Sequence, residues 1–395
     1  MLKKVFLFYC FLTFGIQGFS QGPQLSPLSE LSLLTVGTGD ELAAKFGHSA
    51  IRFKDPSLGI DVVYGYGTYD FEDPNFYLNF TRGKLAYTIS RIPFRYFMRS
   101  YQLEQRWVKE QKLNLNLDQR KAIVSFLEHN LLPENRKYKY DFLFDNCATR
   151  IPLVFEKNFG DELVYDYTHF NDHYTFRELI HQNLKVNSWS NFGIDLALGA
   201  VIDRKATPYE HMFLPLYVYE QMKQTTLDGK PLIKEEQVLL NIPKKEDKTL
   251  FILTPVFWLA LLLLSVLIIT YIDVKNEKRT RWMDVVLFSV TGLAGILILF
   301  LWFFTDHEAT KMNFNALWAF APNIIATFFI ARRKLPKWFQ NYMTLLLGLL
   351  FTNIVLWILK VQVFSILLIF ILSALFCRYL YLFMYLKKQN TQQHT

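Results

Sequence analysis

Any chemistry in this chain starts from one thiol. Cys147 stands in KYDFLFDNCATRIP, residues 139–152, and is one of three cysteines. Cys10 lies in an apolar run at the start of the chain and Cys377 in another near its end. A lone cysteine is most often a small buried hydrophobe. Exported bacterial proteins carry few unpaired thiols, because their compartment oxidises them, so a single survivor there points toward a reactive role. Asn146 offers a helix cap and puts Cys147 near a helix start. The dipole and free N–H groups at such a place favour a thiolate and can hold an oxyanion.

A cysteine nucleophile needs a base. The candidates are His48, His129, His169, His173, His181 and His211. His48 opens a strand in GHSAIRF, and His129 lies on a helix face. His169 and His173 have the i,i+4 spacing of a metal pair, but no further ligand accompanies them and HExxH is absent, so a polar surface turn is the plainer reading. No metal or other cofactor is expected. Asp145 and Arg150 flank the cysteine as caps, as an ion pair or as substrate contacts. Arg82, among aromatics in TYDFEDPNFYLNFTRGK, is a candidate head-group contact set against plain aromatic packing. His307, in TDHEATKMNFN, is another, set against a plain polar loop.

The elements that hold these residues are legible in part. LSLLTVG reads as a buried strand, and DELAAKFG as one or two helical turns capped by Asp40. HSAIRF and DVVYGYGTYDF read as strands joined by the turn KDPSLG. DQRKAIVSFLEHNLL, 118–132, has helical periodicity with Asp118 as cap, and KYKYDFLFD alternates as a strand does. Pro152 should kink the helix that follows Cys147. TPYEHMFLPLYVYEQMKQ, with Thr207 as cap and Pro208 at the first position, reads as a helix leading toward the membrane.

The chain is 51% hydrophobic, and its apolar residues cluster at the start and after residue 248. Residues 1–20 have the basic start, the apolar run and the small residues of a secretory signal, which would carry Cys10 away. From Thr249 to Ile272 there is no charge, enough to cross a bilayer, and four more spans follow at about 282–304, 315–331, 341–359 and 361–386. Pro322 and Asn323 interrupt the third span. The gaps 273–281 and 331–337 and the tail are rich in Lys and Arg, which puts them in the cytoplasm and residues 21–248 outside. The expected domains are therefore an exported unit 21–248, a five-helix membrane unit 249–388 and a short cytoplasmic tail, 389–395. Arg378 should snorkel to the inner surface. The net charge of +8 owes much to the cytoplasmic gaps. With no basic run interleaved with aromatics in the exported part, nucleic acid is not an expected partner.

GHSAIRF, DVVY and, much later, DNCATR resemble the circularly permuted papain-like acyltransferases and hydrolases, the group of lecithin:retinol acyltransferase, with NlpC-type peptidases as cousins. The resemblance implies an α+β fold for the exported domain. It makes Cys147 the nucleophile in an Asn146–Cys147 pair and His48 the base. It places Tyr64 where the group has its orienting residue, often a second His. Longer stretches, LLTVGTGDELAAKFGHSAIRF, YGYGTYDFEDPNFYLNFTRGKL, PENRKYKYDFLFDNCATRI and GIDLALGAVIDRKATPYEHMFLP, are similar to the Bacteroidota lipoprotein N-acyltransferase family (Lnb), which also has trailing membrane spans. That resemblance implies a phospholipid acyl donor, a diacylglyceryl-cysteine lipoprotein as acceptor, a cysteine thioester between them, and a place in the inner membrane with the catalytic domain facing the periplasm. A membrane-anchored hydrolase on the same cysteine, acting on phospholipid or peptidoglycan, is the alternative. A binding module with a buried structural Cys147 is the third reading.

Overall fold

The computed structural model describes residues 24–69, 75–170, 173–243 and 249–392. The expected signal peptide, with Cys10, lies outside them. In chain order the exported part forms β1 (Glu30–Val36), β2 (His48–Asp55), β3 (Ile60–Thr68), α1 (Phe76–Thr81), β4 (Ala86–Pro93), α2 (Phe94–Leu103), β5 (Val108–Leu113), α3 (Leu117–Leu131) and β6 (Lys137–Lys139). It continues through α4 (Arg150–Phe159), β7 (Leu163–Tyr165), α5 (Phe176–His181), α6 (Trp189–Ala197), α7 (Pro215–Lys223), β8 (Thr225–Leu227), β9 (Lys230–Pro231) and β10 (Ile233–Leu240).

Seven strands make one antiparallel sheet in the order β10-β5-β1-β2-β3-β4-β6. Alternation decides what each face carries. Leu31, Leu33, Ile51, Phe53 and Tyr64 point to one side, where Ile123, Val124 and Leu127 of α3 and Ile151, Val154 and Phe155 of α4 cover them. Leu34, Val36, Ala50 and Val63 point to the other, against Phe97 of α2. The β2–β3 hairpin turns through Pro56–Leu58. Asp55 accepts the Ser57 N–H, and Gly59 takes the left-handed φ of 66° that a side chain would resist.

Several local expectations need correction. DELAAKFG forms a single 3₁₀ turn, Leu42–Ala44, and Asp40 does not cap it. The cap of α3 is Asn116, in a capping box with Gln119, so the helix starts one residue before Asp118. KYKYDFLFD is strand only over Lys137–Lys139, because Asp141 accepts the Leu143 and Phe144 N–H groups and turns the chain. Pro152 does not kink α4: the helix begins at Arg150, so the proline sits in the first turn, where no N–H is needed. α7 starts at Pro215 after Leu214, not at Pro208 after Thr207, because Glu210–Phe213 forms a separate 3₁₀ turn, and it does not lead to the membrane. It feeds β8 and β9, and the chain returns as β10 to the sheet edge beside β5.

In the membrane part, α8 (Pro255–Lys275), α9 (Arg281–Phe303), α11 (Phe339–Ile358) and α12 (Leu368–Gln392) are each long and apolar enough to cross. The expected span 315–331 is not one helix. It is a 3₁₀ turn at Phe314–Ala316 and then α10 (Asn323–Ile330). It still reaches both sides. Asn315 Nδ2 donates to Asp195 of the exported domain, 3.0 Å, while the Arg279 guanidinium between α8 and α9 donates to Ile330, 2.8 Å. A Cβ on Gly292 or Gly295 would fall on the backbone of Ile324 or Ala319, so α9 presents glycines where the broken crossing packs. Asn323 bonds Thr291 and Tyr342 at the break. Side-chain partners of this kind are how a membrane tolerates interrupted helices.

Arg378 does not snorkel. It is fully buried and pairs with Asp284 at 2.6 Å and Asp273 at 2.7 Å, because two carboxylates at the α8 and α9 ends outbid the interface. On the opposite side the exported domain is bonded to the outer loops. Asn313 donates to Leu196, 2.8 Å, and Gly199 N–H to Ala309, 2.9 Å. Val363 N–H donates to Asp203, 3.2 Å.

Candidate active site

Two glycines of β3 bring the thiol and the imidazole together. A Cβ on Gly65 would touch His48 Nε2 at 3.5 Å, and one on Gly67 would touch Cys147 Cβ at 3.7 Å. These positions are two apart on one strand, about 6.6 Å. A Cβ at either glycine would stand in ordinary van der Waals contact with His48 or Cys147, so only a longer side chain would press on them. Gly67 also has φ 95°, in the region glycine favours, where the β3–β4 register shifts. Ser49, next to His48, directs its N–H at the Cys147 sulfur, as do the N–H groups of Cys147 and Ala148.

Asn146 sets the thiol's position without meeting it. It is buried, and its Oδ1 accepts Ala148 N–H at 2.7 Å and Thr149 N–H at 3.0 Å. Its amide donates to Phe142 and Phe213 carbonyls at 2.6 and 2.9 Å. All of this holds a turn that precedes α4 rather than the helix itself. Asp145 and Arg150 form a two-pronged ion pair, 2.5 and 2.6 Å. Arg150 in turn lies over the Tyr138 ring, 4.1 Å from its centroid.

Tyr64 is not beside His48. Successive side chains alternate across a strand, so Gly65 faces the imidazole and Tyr64 faces α3, where its hydroxyl donates to Glu128 at 2.5 Å. Among the described residues the nearest aromatic ring to His48 is Tyr101 of α2, 6.5 Å between centroids. Arg82 and His307 lie at the membrane edge. Arg82 accepts the Asp306 N–H through its carbonyl, 2.8 Å, and His307 Nε2 sits 3.2 Å from the Phe80 and Thr81 carbonyls. They join α1 to the outer loop before α10.

Three residues tied to Cys147, by Ser49's backbone N–H and by charge at Tyr138 and Arg106, each carry a buried polar side-chain atom that meets no partner by hydrogen-bond geometry among the described residues: Ser49 Oγ, Tyr138 Oη and Arg106 Nη2. The charge of Arg106 acts on both Cys147 and His48. Sequence reasoning singled out none of the three. Each is an ordinary residue in its own segment, and only the sheet collects them. Beside His48 opens a pocket of about 430 Å³, lined among others by Asp40, Glu41, Tyr101, Glu104 and Arg106.

The electrostatics set a neutral pair. Burial pushes the Cys147 thiol up, against the N–H groups and Arg106, which pull it down. Burial, helped by Arg106, brings His48 down to about 4. The sequence expectation that a helix terminus favours the thiolate is therefore overridden by desolvation. At neutral pH the thiol is protonated and the imidazole unprotonated, which are the states that general-base activation of a sulfur nucleophile starts from.

Two family models match the chain: the Lnb N-terminal periplasmic domain over residues 24–181, and the Lnb transmembrane domain over residues 245–390. No curated protein matches, and no solved structure matches.

Proposed function

The chain belongs to the Lnb family, a membrane protein with a periplasmic domain, and from that premise we propose that it moves a fatty acyl chain from a phospholipid to the α-amine of a diacylglyceryl-cysteine lipoprotein in the inner membrane. What supports the reading is a half-buried thiol and a neutral imidazole set about the same strand, in a domain bonded to the outer ends of membrane helices.

The steps balance. His48 takes the Cys147 proton as sulfur attacks the ester carbonyl, and the oxyanion rests on the Cys147 N–H with Ser49 or Tyr138. The C–O bond breaks, and the imidazolium protonates the departing lysophospholipid oxygen. The lipoprotein amine then attacks the thioester, His48 accepts its proton, and the thiolate leaves and is reprotonated. Each donor removed from the oxyanion is worth on the order of 10²–10³ in rate in well-studied acyl transfer.

Lipid substrates fit the surroundings. A negative charge on the sulfur would raise Tyr138 and Tyr140, which places both within its reach. Tyr140 stacks on Tyr87 at 4.2 Å, Tyr87 meets Tyr69 at 5.4 Å, and Tyr69 meets Phe76 at 5.6 Å. Phe76 begins α1, whose Tyr77, Leu78 and Phe80 are exposed at the level of the outer loop. Aromatic and apolar groups at that height suit the bilayer interface. Drawing a chain fully into water would cost about 0.8 kcal/mol per CH₂, so a site reached along such a surface has an advantage.

The test is mass spectrometry of one lipoprotein's N-terminal peptide, in a host without its own N-acylation. An added acyl mass with the native protein and none with Cys147→Ala or His48→Ala is expected. Lysophospholipid and free fatty acid without peptide acylation would establish a phospholipase instead, and released peptidoglycan peptides an amidase.

A further inference from the structure

The pocket beside His48 has a graded charge. Its deepest charged group is Arg106, only 6% exposed. Arg106 Nε donates to the Gly37 carbonyl at 2.7 Å and Nη1 to Glu104 at 2.9 Å, while Nη2 has no partner among the described residues. The guanidinium lies over the Tyr101 ring, 4.9 Å from its centroid. The other charged groups of the lining, Asp40, Glu41 and Glu104, are all exposed. A cation therefore sits inside, within electrostatic reach of Cys147, and carboxylates stand at the rim. Nη2 is thus a buried donor without its hydrogen bond, a cost that a bound acceptor would recover.

We propose that this pocket binds a zwitterionic phosphate–ammonium head group, with the phosphate on Arg106 and the ammonium among Asp40, Glu41 and Glu104. The proposal rests on the phospholipid-donor reading. The order of groups along such a lipid supports it. In such a lipid the phosphate stands between the ester and the ammonium, and Arg106, whose charge reaches Cys147 and which pairs with Glu104, links the thiol to the carboxylates of the lining. At about 430 Å³ the pocket is within the range of small-molecule sites. A purely anionic head group would satisfy Arg106 and meet three carboxylates, whereas a neutral diacylglycerol would leave Nη2 unpaired. Arg106 is thus assigned as a specificity residue for the donor.

The test uses the full chain in neutral detergent and reads protection of Cys147 from alkylation at alkaline pH. The probes are diether lipids, which the thiol cannot cleave, carrying phosphoethanolamine, phosphoglycerol or a free hydroxyl. The phosphoethanolamine lipid is expected to protect at concentrations at least about tenfold lower than the other two. Arg106→Gln should bring it level with the hydroxyl lipid, and Arg106→Lys should keep part of the preference. Glu104→Gln, with Asp40→Asn and Glu41→Gln, should bring it level with the phosphoglycerol lipid. Because the hydroxyl and phosphoglycerol lipids are compared within the native protein, a misfolded variant does not decide the outcome. Equal protection by all three lipids, or an order unchanged by Arg106→Gln, overturns the proposal. Chain-free glycerophosphoethanolamine should protect weakly, and equal protection by it would overturn a lipid as the source. The readout needs no acceptor. If the head-group order holds while no lipoprotein is acylated, the pocket stands and the transferase reading falls; the reverse result removes only the pocket.

Discussion

At the scale of single residues, the neutral His48–Cys147 pair has a pH signature. A base with its pKa brought down to about 4 stays unprotonated, and competent, far below the ordinary imidazole range. The rate of Cys147 acylation should therefore be flat through mildly acid pH and fall only as pH approaches about 4. Stopped assays of the first half-reaction would show this, and an acid limb near the usual 6.5 of histidine would refute the neutral pair. Arg106→Gln removes a positive charge that lowers His48, so the limb should move upward, though not fully, since burial is the larger cause. Tyr64 tests the geometry from the other side. Tyr64→Phe loses a hydroxyl bonded to Glu128, not a partner of His48. It should cost about 1 kcal/mol of stability and leave kcat/KM within about threefold. His48→Ala should lose on the order of 10²–10⁴.

At the scale of elements, the site depends on a turn and a strand. Asn146→Ala removes a cap and leaves the Phe142 and Phe213 carbonyls without their donor. A loss of about 1–3 kcal/mol in denaturant midpoints is expected, with kcat falling more than KM rises, because the thiol loses its fixed place. If instead activity stayed native while stability fell, Asn146 would be structural only. The stretch DVVYGYGTYDF was readable as a strand, and what its glycines Gly65 and Gly67 lie against was not. A glycine read alone says nothing of which side chain from another element needs its space. In the same way the helix after Cys147 was legible, whereas its start, three residues past the cysteine, was decided by the Asn146 side chain taking the first N–H groups.

At the scale of the whole molecule, the membrane helices are held at their inner ends by buried charge. Arg378→Met leaves Asp273 and Asp284 facing each other with Arg279 alone to answer them. A loss of about 3–5 kcal/mol is expected from thermal unfolding in detergent. Arg378→Met combined with Asp273→Asn should lose less than the sum of the two single changes. The outer ends are held by the exported domain, so the two parts act as one body around the lipid surface. Cysteines placed at Glu308 and Lys334, in a chain lacking Cys147 and Cys377, should label from opposite sides of the membrane. Labelling of both from one side would overturn the sidedness read from the basic gaps.

The sequence by itself determined the division into an exported α+β part and an apolar membrane part, the family, and which thiol and imidazole to propose as nucleophile and base. Those properties follow from local composition and from motifs that lie within a few residues of one another. Tertiary structure alone decided that Tyr64 faces away from His48 and that Arg378 stays inside, whereas the break in the third crossing was already marked by Pro322 and Asn323. Tertiary structure alone also tied Ser49, Arg106 and Tyr138 to Cys147. The physical reason is the same in each case: what a side chain does when buried depends on which distant groups desolvate it, pair with it or leave it unpaired, and those groups come from strands and helices far apart in the chain.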